Sequence, residues 1–95
     1  MPRNVYAEIN LHITWHTKAS APVLTDAVAQ HLYRFIEKRA LETPGVQIHA
    51  IGGTATHIHL AVSVPPTLEI GRWVGDLKGA GAYFANHRIV NRKLL

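Results

Sequence analysis

The chain contains no cysteine. That excludes disulfides and thiolate metal sites, and leaves histidine, carboxylate and amide groups as the ligands open to a transition metal. It also lacks any apolar run near the ~18 residues that a membrane span requires. No secretory signal opens it, because Met1-Pro2-Arg3-Asn4 leads straight into alternating residues. These absences point to a cytoplasmic protein with no membrane partner. Acidic residues are scarce: six stand against ten Lys and Arg, for a formal net charge of +4, and only Glu69 and Asp76 follow Glu42. With 47% hydrophobic and 17% charged residues the chain is globular, and 95 residues suit one domain, 1–95. The cations gather late, as Arg72, Lys78, Arg88, Arg92 and Lys93. A basic C-terminal third of this kind predicts a phosphate-facing surface.

Histidine, by contrast, is plentiful, at seven residues. His57 and His59 are spaced i and i+2 in Thr56-His57-Ile58-His59-Leu60-Ala61-Val62-Ser63-Val64-Pro65. Ile58, Leu60, Val62 and Val64 alternate with them, so the segment reads as a strand with both imidazoles on one face, about 7 Å apart and able to reach one metal ion. In a chain this rich in histidine, chance alone supplies roughly half an instance of that spacing. Its meaning therefore depends on what surrounds it.

Residues 3–16 alternate over a longer stretch. Val5, Ala7, Ile9, Leu11, Ile13 and Trp15 form one face, and Tyr6, Glu8, Asn10, His12, Thr14 and His16 the other. Thr25 offers an N-cap and Asp26 a first-turn acid to a helix with Leu24, Val28, Leu32, Phe35 and Ile36 at helical spacing. Thr43-Pro44-Gly45 ends it. A strand over Val46–Gly52, a short link over 53–56 and the histidine strand follow. From Thr67 or Leu68 a second helix carries Ile70, Trp73, Val74, Leu77, Ala80 and Phe84 on one stripe. Gly71, Gly75 and Gly79 recur in that helix at every fourth position, each costing about 1 kcal/mol against alanine, which predicts a smooth face where another backbone or a nucleic-acid strand approaches.

The order strand, helix, strand, strand, helix begins a β-α-β-β-α(-β) ferredoxin-like domain of the α+β class, with an antiparallel sheet and both helices on one face. The third strand would then lie between the first and second. Parity places His57, His59 and Ser63 on the open face, with Glu8, Asn10, His12 and His16 from one neighbour and Gln47 and His49 from the other.

Taken together, these residues resemble the HUH-type single-tyrosine transposases of small bacterial insertion sequences and their relatives that act on repetitive palindromic elements. The resemblance rests on Thr56-His57-Ile58-His59-Leu60, the preceding Ile51-Gly52-Gly53, Pro65, the triplet Leu77-Lys78-Gly79, and a long first strand ending near Thr17-Lys18; it covers essentially the whole chain. It implies metal-dependent nicking and rejoining of single-stranded, hairpin-bearing DNA. His57 and His59 would hold a divalent ion, Mg²⁺ or Mn²⁺, that polarises the scissile phosphate, while a tyrosine on a later helix attacks and keeps the phosphodiester's energy in a 5′-phosphotyrosine. Lys78, Arg72, Arg88, Arg92 and Lys93 would contact DNA.

One departure stands out. The family's fourth strand and tyrosine helix follow the second helix, and here the sequence given stops at Leu95; Tyr6, Tyr33 and Tyr83 do not occupy the nucleophile's place. The expectation is an N-terminal fragment that binds metal and DNA without cleaving. Some family members draw a third ligand from that later helix; Glu8 is the local substitute, with His12 and His49 behind it. A first strand without its fourth-strand neighbour would be an open edge, through which two chains could pair as a homodimer. Two other functions remain open: a non-catalytic nucleic-acid-binding ferredoxin-like module, and a metal-binding or dimeric ferredoxin-like protein unrelated to DNA. The first would show stacking aromatics on its central strands.

Overall fold

The computed structural model describes residues 7–89 and residue 95. Tyr6, Arg92 and Lys93 therefore lie outside the described residues. Strand β1 (Ile9–His16) leads to helix α1 (Asp26–Leu41), followed by β2 (Gln47–Gly53), β3 (His57–Val64) and helix α2 (Ile70–Phe84). The three strands form one antiparallel sheet in the order β1-β3-β2. This is the α+β, ferredoxin-like arrangement, with the histidine strand at the centre.

Local chemistry sets the boundaries. Thr25 Oγ1 accepts the Val28 N–H at the start of α1, and Gly45 takes a positive φ of 86° in the turn that follows the helix. Residues 67–69 precede α2 instead of opening it, and Glu69 provides no side-chain cap. A π-helical turn, Ala85–Ile89, continues the chain past Phe84. The hairpin between β2 and β3 closes through Ala55 and Thr56, with the Thr54 N–H bonded to His57 O at 2.9 Å. Gly53 is obligatory there, because a Cβ on it would lie 2.1 Å from His57 O.

One face of the sheet is the core wall. Ile13 and Trp15 of β1 join Ile58, Leu60, Val62 and Val64 of β3 against Leu32, Ile36 and Ala40 of α1 and Leu77 of α2. Each fully buried Leu or Ile contributes roughly 1.5–3 kcal/mol. Between the helices Phe35 and Phe84 stack with ring centroids 4.3 Å apart, and Gly81 lets α2 come close to Ile36. Trp73 Nε1 donates to Thr43 Oγ1 at 3.0 Å, tying α2 to the loop after α1. Gly71, Gly75 and Gly79 face open space, so the helix forms regularly through them.

Period 2 fails once, in β2. Ile48 pairs with Val62 and Ile51 with Leu60, so two inward residues are separated by three positions, not two or four. A β-bulge at His49 absorbs the extra residue. It turns both His49 and Ala50 outward and restores Ile51 to the core side.

Candidate active site

Hydrogen-bond phase explains why the histidines crowd together. The Thr17 N–H bonds to Thr56 O at 2.8 Å, so in the β1–β3 ladder the odd residues of β1 are the hydrogen-bonded ones. Thr14 opposite His59 and His16 opposite His57 are then non-hydrogen-bonded pairs, whose side chains approach most closely. The rings form a continuous array: His16–His57, His57–His59 and His12–His59 centroids lie 5.3, 4.6 and 5.0 Å apart.

Each member of the pair is held by its Nδ1. For His57, Thr54 Oγ1 and Thr56 Oγ1 lie at 3.0 and 3.1 Å. For His59, His12 Nε2 and Thr14 Oγ1 lie at 3.0 and 3.1 Å. In the tautomer that carries its proton on Nδ1, each ring has an acceptor for that proton, and each Nε2 presents a free lone pair. Metal-binding histidines are oriented by this kind of second hydrogen bond. Partial desolvation lowers the His59 pKa below its ordinary value, and His57, His12 and His16 push it the same way. A neutral imidazole is the ligand-competent form. The donor set therefore fits a divalent ion held by two nitrogens.

No third protein ligand joins them: among the described residues no group of three or more His, Cys, Asp or Glu is arranged to hold a metal ion. The strand register does not bring Glu8 to the pair. Glu8 precedes Ile9, which pairs with Val64 at the far end of β3, whereas His59 faces Thr14. Six residues of strand separate Glu8 from Thr14, about 20 Å, far beyond the reach of a glutamate side chain. His12 is close but spends its Nε2 on His59, which makes it an orienting residue. His49 points into a different network: its Nε2 lies 2.5 Å from Ser63 Oγ, which donates to Asn10 Oδ1 at 2.6 Å.

Of the cations named from sequence, the three described ones do not gather at the histidines. Arg72 and Arg88 are exposed on the helical side, and Arg88 lines a groove there with Arg39, Phe35, Tyr83 and Phe84. Lys78 reaches the rim of the sheet, where its Nζ donates to Thr14 O at 3.1 Å and lies 5.7 Å from the Trp15 ring centre. Tyr33 and Tyr83 are carried by α1 and α2 in the layer behind the sheet; burial raises the Tyr33 pKa, with Asp26 adding to it. Thr14, Thr54 and the bulge at His49 were not singled out by sequence. Hydroxyls flanking a His-x-His strand are the signal that could have found the first two.

No helix among the described residues is long and apolar enough to cross a membrane. No curated protein matches the sequence. A crystal structure of a protein from Deinococcus radiodurans R1 assigned as a transposase superposes with a TM-score of 0.83 at 26% identity, covering 96% of this chain and 69% of that one. A family profile described as "Transposase IS200 like" matches residues 5–94. The chain is thus a member of the IS200-like transposases.

Proposed function

We propose that this transposase domain carries the metal-binding half of a centre that nicks and rejoins single-stranded, hairpin-bearing DNA in the cytoplasm. The observation behind this reading is the His57–His59 pair, with both Nδ1 atoms engaged and, among the described residues, no helix packed over the sheet face that carries them. Those two residues would hold Mg²⁺ or Mn²⁺, which when bound supplies Lewis-acid stabilisation of charge on a phosphate oxygen. The chain's own contribution is orientation. Thr54 and Thr56 fix one ring, Thr14 and His12 the other, and the non-hydrogen-bonded register holds both on one side of β3.

Neither Tyr33 nor Tyr83 shares the histidine face, and Tyr6 lies outside the described residues; on this reading residues 7–89 would bind metal and DNA without supplying the nucleophile. The nucleophile would come from a segment beyond them. The test is a Mn²⁺ titration with and without a hairpin oligonucleotide, using His57→Ala and His59→Ala as controls. Metal binding lost in both variants, with hairpin binding and no covalent adduct, supports the reading; a covalent adduct from this chain would overturn its second half.

A stacking module without chemistry is the weaker alternative, because no Phe, Tyr or Trp occupies the outward positions of β1, β2 or β3. Pairing of two chains through β1 is also part of the proposal. The even residues of β1 direct their backbone groups away from β3, and of these Thr14 O is taken by Lys78. Sedimentation giving a strict monomer at high concentration would remove the dimer.

A further inference from the structure

The three strands contain no Asp, Glu, Lys or Arg. Every described Lys and Arg lies on a helix or in a connecting segment. The outward positions of the three strands are therefore polar but carry no fixed charge, so they are poorly suited to gripping phosphates along a strand. Phosphate contacts position nucleic acid, whereas hydrogen bonds to base edges specify it. A neutral face rich in donors and acceptors suits the second task.

One part of that face is built as a unit. His49 on β2, Ser63 on β3 and Asn10 on β1 form a hydrogen-bonded chain across all three strands. Ser63 is 1% exposed and entirely committed. Its hydroxyl hydrogen goes to Asn10 Oδ1, so its oxygen must accept from His49 Nε2–H. In the neutral form of the ring, that assignment leaves the His49 Nδ1 lone pair as an acceptor, with the Asn10 Nδ2 hydrogens as donors, both on exposed side chains. Gln47, opposite Ser63 and exposed, adds a second amide. Beside this chain Ala61 faces Ala50 on one side and His12 on the other. The bulge in β2 is what puts His49 there while Ile51 stays inward.

We propose that His49, Ser63 and Asn10 form a base-reading site, which hydrogen-bonds the edge of an unpaired nucleobase on the strand whose phosphate sits at His57 and His59. This rests on the DNA reading above. Ser63 is four residues from His59 along β3, about 13 Å, too far to touch the same phosphate and close enough to meet a neighbouring nucleotide of the same strand. His49 and Asn10 are the specificity-determining residues. Ser63 is a positioning residue that fixes the tautomer of one and the amide orientation of the other.

The experiment measures binding of a hairpin oligonucleotide with a single-stranded flank in Mn²⁺, replacing each flank position in turn by an abasic site and by each other base. The native chain is expected to show one flank position where replacement weakens binding about tenfold. His49→Ala and Asn10→Ala should each erase the discrimination at that position. Both should leave Mn²⁺ affinity unchanged, since neither residue touches His57 or His59. Asn10→Ala, at an exposed position, guards against misfolding of the bulge variant. A flat base scan, or discrimination that survives both substitutions, overturns the site while the DNA reading stands. Equal weakening on every oligonucleotide overturns it in favour of a purely structural network. No binding of any oligonucleotide overturns the DNA reading and this site with it.

Discussion

His12 Nε2 lies 3.0 Å from His59 Nδ1, so a histidine of the edge strand orients a histidine of the central one. Removing it should loosen the site without destroying it. His12→Ala is expected to weaken Mn²⁺ binding about tenfold, at the lower end of what loss of an orienting partner costs, because Thr14 Oγ1 remains. His59→Ala should abolish binding. Calorimetric titration of both variants checks this, and equal loss in the two would make His12 a ligand.

The depressed His59 pKa gives a signed pH dependence in the metal-free protein. The folded state binds fewer protons at this site than the unfolded chain does. Stability should therefore be fully present above the ordinary histidine pKa and decline as pH falls through it toward the folded value. Proton NMR in the presence of a chelator should place the His59 midpoint below the ordinary histidine value. A higher midpoint for His59 would contradict the environment described.

Two glycines should respond in opposite directions. Gly53→Ala sets a methyl group against His57 O and should cost about 2 kcal/mol or more, opening the hairpin that carries the site. Gly75 has nothing near its missing Cβ, so Gly75→Ala should stabilise α2 by roughly 1 kcal/mol. Thermal unfolding of both variants decides the matter. If Gly75→Ala raises stability yet weakens DNA binding or self-association, the glycine face is a contact surface.

Lys78 separates structure from DNA contact. Its Nζ is engaged with Thr14 O beside Trp15. Lys78→Met should lower stability by about 1–2 kcal/mol and leave the salt dependence of DNA binding unchanged. A slope reduced by about one unit would place Lys78 on a phosphate instead.

How much of this was legible depended on which rule applied. Strict alternation in residues 9–15 and 58–64 revealed two strands, their inner faces and the common side of His57 and His59. Parity says which face a residue occupies but not how far along it. Glu8 shares the parity of the histidine face, yet the pairing of Ile9 with Val64 sets it toward the other end of β3. The bulge at His49 was hidden because Ile48 and Ile51, three positions apart, break the strand period, and only the partner strand shows where the extra residue sits. For Lys78 the sequence shows the charge but not the backbone oxygen at the rim of β1 that it meets.

The uncharged outer face of the sheet has a thermodynamic consequence. On the proposed reading, a polyanionic strand laid across it meets neither attraction nor repulsion until a cation occupies the two imidazoles. Metal and strand must then favour one another's binding by the same factor. The domain would hold DNA loosely in a chelator and firmly in Mn²⁺, and a bound strand would tighten the grip on an ion that two histidines alone hold weakly.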